Sequence, residues 1–215
     1  RERVRDELQK ILLADGKYGN QAGVYQGLHL MDRLGALEVI LPALAAGRGL
    51  GQRQEYHAYD VLEHGLQTAA QAELAGGLEL RLGALLHDVG KPAAFQATGR
   101  MLHHDQMGAD IAREMVTGLR FSNQVQEEVS WLVAHHMFDL EGRAKEPTLR
   151  RRFQEFGAAR TRQLIRLRRA DVRGSGRNGS EASADRWAQT LSQMLAKGTT
   201  FTEADLAITG RDLME

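Results

Sequence analysis

The 215-residue chain carries 28 Lys/Arg against 28 Asp/Glu, 42% hydrophobic residues and no cysteine. That length supports one sizeable core, and the composition excludes a disordered polymer. No disulfide, thiolate metal site or cysteine nucleophile is available, and with no secretory signal and no apolar run near the roughly 20 residues of a spanning helix, a cytoplasmic protein without a membrane partner is expected.

Taken in order, the chain reads as helix after helix. Val4, Leu8, Ile11 and Leu12 recur at helical spacing, as do Leu28, Met31 and Leu34. Pro42 splits the apolar stretch 37–44 into two short pieces. Val61, Leu62, Leu66 and Ala69 mark a helix that carries His64 on its flank. Leu80, Leu82, Leu85 and Leu86 lead into His87, after which Gly90 and Pro92 predict a stop. Ile111, Met115 and Leu119 form another stripe. Ser122 or Asn123 is placed to cap the next helix, with Val125, Val129, Leu132 and Val133 facing inward. Helices over roughly 148–156 and 158–172 follow from the same periodicity. The Gly- and Ser-rich stretch 174–183 predicts a mobile loop, ahead of a helix around Trp187, Leu191 and Leu195. No alternating, β-branched run defends a strand, so the fold class is all-α.

Charge is unevenly spread. Residues 143–177 hold 12 Lys/Arg against 3 Asp/Glu, while 1–142 hold 13 against 19 and 178–215 hold 3 against 6. A basic stretch beside an acidic body predicts an anionic partner, with phosphates or RNA as candidates. For Arg150, Arg151 and Arg152 a merely solvated helix face is an equal alternative.

The chemistry lies in the histidines. Six of the eight, counting His103, fall at the ends or flanks of predicted helices between 64 and 136. His64 lies midway along one helix, His87-Asp88 closes the next, His104 opens a third and His135-His136 ends a fourth. Asp171 sits near the end of a fifth, where a carboxylate opposes the helix dipole and invites a cation, either a metal or an arginine. Side chains from several helices can converge at one end of a bundle, and imidazole with carboxylate suits Mn, Fe, Co, Ni or Zn better than calcium. A lone histidine such as His29 or His57 is more simply a hydrogen-bonded or surface residue.

The succession His, His-Asp, His, His-His, Asp resembles the ligand order of HD-superfamily phosphohydrolases, and His87-Asp88-Val89-Gly90-Lys91 matches their HD-(I/V)-G-K signature. The wording is similar to one branch, the HD region of bacterial tRNA nucleotidyltransferases (CCA-adding or poly(A) polymerase-like proteins). YHAYDVLEHGLQTAA (56–70), LRLGALLHDVGKPA (80–93), LRFSNQVQEEVSWLVAHHM (119–137) and LRRADVRG (167–174) carry it. RERVRDELQKILL (1–13) resembles the segment following the nucleotidyltransferase head, and LAITGRDLM (206–214) the closing element. The resemblance implies an HD-domain helical bundle with a metal site between helices. It divides the chain into an N-terminal helical segment packing on the HD core (1–50), the core (51–174), and a loop with a C-terminal helical segment (175–215).

The same resemblance implies that His64, His87, Asp88 and Asp171 hold a first divalent ion. His104, His135 and His136 hold a second in it, with Asp88 bridging. One or two ions are expected, of Mn, Ni, Co, Fe or Zn, with Mg also admitted. Arg100 and His104 stand about two residues closer than in the family pattern, which leaves His103 and His104 both as candidates, His104 preferred. Such ions activate water for attack on phosphorus, with Asp88 in the reacting centre. Lys91, one turn beyond His87-Asp88, can reach a phosphate oxygen. Arg100, Arg143, Arg169 and Arg173 are candidate phosphate clamps by charge and position. His57 precedes the first ligand helix and shapes the approach to it.

The paired-aspartate head that adds nucleotides has no counterpart in these 215 residues, so nucleotide addition is not expected of them. No P-loop is present, and Met137-Phe138-Asp139 replaces the GYP of cyclic-dinucleotide phosphodiesterases. The expected activity is hydrolysis of a 2′,3′-cyclic or terminal phosphate on an RNA 3′ end or nucleotide. The alternatives are a free mono- or dinucleotide as substrate, or a non-catalytic RNA-binding body module of a tRNA nucleotidyltransferase-like protein. A homo-oligomer is compatible with either.

Overall fold

The structure, a computed structural model, describes residues 1–20 and 22–201, all helices and connecting turns with no strand among them. The stretch 206–214, read above as a closing element, lies outside the described residues.

Helix α1 (Glu2–Leu12) buries Leu8 and Leu12, and the short α2 (Ala14–Tyr18) follows it. In α3 (Gly23–Arg33) the inward stripe is Val24 and Leu28. Leu34, expected to extend that stripe, is 73% exposed, because the helix ends at Arg33 and the chain turns at Gly35 with φ +70°. Pro42 divides the next stretch as expected, into α4 (Ala36–Ile40) and α5 (Pro42–Ala45). Helix α6 (Val61–Gln71) starts where the Asp60 carboxylate accepts the Glu63 backbone N–H. His64, read from sequence as a flank residue, is fully buried in it.

A 3-10 turn (Leu74–Gly76) leads into α7 (Gly77–Leu86), which is buried on every side from Leu80 onward. From Leu80 to Leu86 only Arg81 interrupts its apolar lettering, as suits a helix in the middle of a domain. Its buried charge, Arg81, is held by the Ala69 carbonyl at 3.0 Å and the Asp15 carboxylate, with its Nε left without a partner. Gly90 and Pro92 do not only end a helix. They open α8 (Lys91–Thr98), with the proline in the first turn, where its missing N–H costs nothing. Helices α9 (His104–Gly118) and α10 (Asn123–His135) pack along each other, α10 capped by the Ser122 hydroxyl.

The last three helices among the described residues are α11 (Glu146–Phe156), α12 (Ala158–Gly174) and α13 (Ala182–Ala196). Both ends of the expected mobile loop belong to helices, Gly174 to α12 and Ser183 to α13. Between them Ser175 is buried, and its carbonyl accepts the Ala58 N–H at 2.9 Å. Small residues allow this close contact, since a Cβ on Gly174 or Gly176 would stand 2.5 Å from Thr68 Oγ1 or Tyr59 Cε2, while residues 176–180 are exposed.

Two apolar clusters share α7 and α10 as their common wall. Leu82, Leu85 and Leu86 of α7 and Val125, Val129 and Val133 of α10 face a core completed by α1, α3, α6 and α9. Leu80, Ala84 and Leu132 face the other, with Phe153, Leu164, Leu167 and the fully buried Trp187. Fully burying one such aliphatic side chain stabilises by about 1.5–3 kcal/mol, so a two-sided wall is held firmly. Both wall helices run out at the same place, His87-Asp88 for α7 and His135-His136 for α10.

Candidate metal centre

Four histidines and two aspartates converge there in two groups: His64, His87 and Asp171, and Asp88, His104 and His136. In the first, His64 Nε2 lies 3.1 Å from His87 Nε2 and 3.1 Å from Asp171 Oδ1. In the second, His104 Nε2 lies 3.1 Å from His136 Nε2 and 3.2 Å from Asp88 Oδ1. Asp88 joins them, because its other oxygen, Oδ2, is 3.3 Å from His87 Nε2.

The ring orientations are fixed from behind. His64 Nδ1 meets the Gly174 carbonyl at 3.2 Å, His87 Nδ1 that of Ala84 at 2.8 Å, and His104 Nδ1 that of Met101 at 2.7 Å. His136 Nδ1 meets the Val133 carbonyl at 2.7 Å. A carbonyl only accepts, so each ring carries its proton on Nδ1 and turns a bare Nε2 lone pair inward. Two such lone pairs 3.1 Å apart repel unless a cation or an added proton sits with them. The donor set therefore fits a divalent ion in each group, held by imidazole and carboxylate.

Close backbone approach makes this possible. A Cβ on Gly90 would stand 2.1 Å from the His104 carbonyl oxygen and 2.6 Å from Gly108 N, so only glycine lets the α7–α8 corner press against the start of α9. Gly174 likewise would carry a Cβ 2.6 Å from Thr68 Cα, so α12 can lie against α6 with its carbonyl on His64.

Electrostatics follow from burial and company. Burial alone would push the Asp88 carboxyl up; with an added proton on the imidazoles standing in for a cation, His87, Lys91, His104 and His136 hold it well below the usual carboxylate range. Asp171 behaves alike, with burial opposed by His64, His87 and Arg168. His136 is pushed down, chiefly by burial, toward the neutral form that a metal ligand needs. Lys91 Nζ, at the head of α8, binds Asp88 Oδ2 at 2.6 Å and Gln52 Oε1 at 2.5 Å.

The structure brings His104 rather than His103 to the centre. His103 is exposed, with φ +57°, on the turn that aims its neighbour inward. His135 is not brought in either. Its ring stacks on Trp131 at 4.2 Å between centroids, lies edge-on to Phe156 at 5.0 Å, and binds the Trp131 carbonyl at 2.8 Å. Successive residues at a helix end point about 100° apart, so a His-His pair need not share one site.

The four arginines are placed less centrally. Arg100 is exposed after α8, and Arg143 is 84% exposed beside Glu141. Arg169 pairs with Asp185 at 2.9 Å, and Arg173 with Glu181 at 2.7 Å. The arginine that does reach the centre, Arg168, was missed from sequence, although its position three residues before Asp171 is the spacing of a helical ion pair. It holds Asp171 Oδ2 at 2.7 Å. His57 lies edge-on to His64, centroids 4.4 Å apart, and burial pushes its imidazole down to about 4.

The HD-domain family model matches residues 61–173, from the first turn of α6 to the last turn of α12. The chain belongs to the HD-domain family. All six converging residues lie within this match. The chain is 33% identical over 198 residues to an A-adding tRNA nucleotidyltransferase of Deinococcus radiodurans, covering 88% of this chain and 43% of that protein. It is 39% identical over 145 residues to a CC-adding tRNA nucleotidyltransferase of Thermus thermophilus, 64% of this chain and 32% of that protein. A bifunctional uridylyltransferase/uridylyl-removing enzyme of Ruegeria pomeroyi is 29% identical over 205 residues, 83% of this chain and 21% of the other. The chain thus spans less than half the length of these relatives. Among the described residues no helix is long and apolar enough to cross a membrane.

Proposed function

We propose that this HD domain is a metal-dependent phosphohydrolase acting on 2′,3′-cyclic or terminal phosphates of RNA or nucleotides. The observation that carries the reading is the pair of His/Asp groups joined through Asp88, with Lys91 against the same carboxylate. His64, His87, Asp88 and Asp171 would hold one divalent transition-metal ion. Asp88, His104 and His136 would hold another. When bound, such ions supply Lewis-acid charge and lower the pKa of water to near neutrality. The chain's own residues do the rest. The four Nδ1 contacts hold the imidazoles rigid, so no reorganisation accompanies binding. Lys91 places a third, uncommitted N–H beside the Asp88 bridge, where it stabilises charge developing on a phosphoryl oxygen.

The relatives support RNA or nucleotidyl chemistry: two are tRNA nucleotidyltransferases, and one is named for removing uridylyl groups. A second reading, a non-catalytic RNA-binding body within a larger tRNA nucleotidyltransferase-like protein, draws on the chain's partial span of those relatives. A purely architectural role, however, places no demand on four inward-facing Nε2 atoms. A free mono- or dinucleotide remains the alternative substrate class.

The test measures bound metal on the purified chain, then turnover of 2′,3′-cyclic AMP and p-nitrophenyl phosphates with Mn, Ni, Co and Mg. Metal uptake with hydrolysis is expected. No metal and no turnover with any ion overturns the reading.

A further inference from the structure

Two of the buried polar atoms without a hydrogen-bond partner, Gln52 Nε2 and His57 Nδ1, lie on the loop that joins α5 to α6 beside the metal centre. The loop has no helical or sheet ladder of its own to absorb them. Buried donors in native proteins are nearly always satisfied, and an orphan calls for an explanation such as a missing ligand.

The Gln52 amide has only one possible orientation. Lys91 Nζ, 2.5 Å away, is purely a donor, so the carbamoyl oxygen must face it and the NH2 must face the other way. Lys91 is itself anchored on Asp88 Oδ2 at 2.6 Å, which leaves one of its three N–H groups uncommitted. Lysine and glutamine, joined to each other, therefore each keep an N–H group free, the lysine against the carboxylate that joins the two His/Asp groups. An amide NH2 cannot ligate a cation. What it can meet is an oxygen acceptor, and paired with an ammonium it favours an anionic one.

We infer that Gln52 is a substrate-binding residue whose amide N–H donates to a non-bridging phosphoryl oxygen, alongside Lys91. The inference rests on the phosphohydrolase reading above and adds a contact that neither charge nor motif marks in the sequence. His57, on the same loop, has an unpartnered ring nitrogen of its own and lies edge-on to His64.

The rival role for Gln52 is to orient Lys91 and nothing more, and two variants separate the possibilities. Gln52→Glu keeps an acceptor for Lys91 but removes the donor; Gln52→Met removes both without adding charge. The readouts are inorganic phosphate affinity of the Mn-loaded full chain by calorimetry, Mn stoichiometry, melting temperature, and kcat and KM for 2′,3′-cyclic AMP. Loss of one donor to an anionic acceptor predicts phosphate binding weaker by roughly tenfold to a hundredfold in both variants. Mn stoichiometry should stay at the wild-type value. Wild-type phosphate affinity in either variant, on a chain that still loads Mn and melts near wild type, overturns the inference while leaving the phosphohydrolase reading intact. A wild-type chain that takes up no Mn overturns that reading and this inference with it.

Discussion

The two His/Asp groups are built differently although they touch through one carboxylate. The first draws on three separate helices: His64 from α6, His87 after α7 and Asp171 from α12. One of its supports reaches across the sequence, the Gly174 carbonyl on His64 from 110 residues away, while Ala84 holds His87 and Arg168 holds Asp171 from three residues away. The second sits between the start of α9 and the end of α10, and its imidazoles are held locally, by carbonyls three residues back at Met101 and Val133. One group therefore depends on how helices pack, the other on how helices end. Asp88, on the corner after α7, is the residue they have in common.

The largest effect follows from that shared position. Asp88→Asn keeps the shape but removes the charge that both groups use, so metal uptake should fall in both. Hydrolysis should drop on the order of 10²–10³-fold or more, as when one preorganised electrostatic group is lost. His136→Ala should cost the second ion alone. Metal stoichiometry by mass spectrometry, with turnover measured on the same samples, checks both. Equal losses in the two variants would mean that the groups act as a single site.

Much of this centre was readable before any fold was known. Apolar periodicity located the helices, and the histidines stood at their ends, because a residue closing a buried helix is delivered to the edge of the core. Tertiary pairing was not readable. The +9 stretch of 143–177 looked like an anion-binding face, yet Arg160 is bound to Glu128, Arg166 to Glu73, and Arg169 and Arg173 to the first turn of α13. Those carboxylates lie outside the stretch, Glu73 and Glu128 well before it and Glu181 and Asp185 just after it, so a count confined to 143–177 sees only the positive half. The same blindness put Arg169 forward and passed over Arg168, which Asp171, three residues on, turns inward. Nor could the sequence say that Gln52, in a polar loop, has its amide nitrogen buried.

Arg168 gives a test confined to the first group. Its guanidinium fixes Asp171 Oδ2 while Oδ1 faces His64. Partners that orient a metal ligand in this way are worth about 10–100-fold in affinity or activity. Arg168→Ala should therefore weaken the first ion by that factor and leave the second unchanged, in competition titrations with a metal chelator. A fall in both affinities would show that the groups are coupled through Asp88 more tightly than their separate supports suggest.

The smallest expected effect separates neighbours in the chain. His135 and His136 are adjacent, but His136 Nε2 faces His104 while the His135 ring packs between Trp131 and Phe156. Burial pushes the His135 imidazole down, so near neutral pH it is an uncharged packing ring. His135→Ala should leave metal stoichiometry and turnover at wild-type values, losing only some stability through its aromatic contacts. His135→Phe, which keeps the ring, should restore the melting temperature. If His135→Ala instead lost an ion, the second group would need a ligand that turns inward only when metal is bound. The local, helix-end construction of that group would then be a flexible one, in contrast to the cross-braced first.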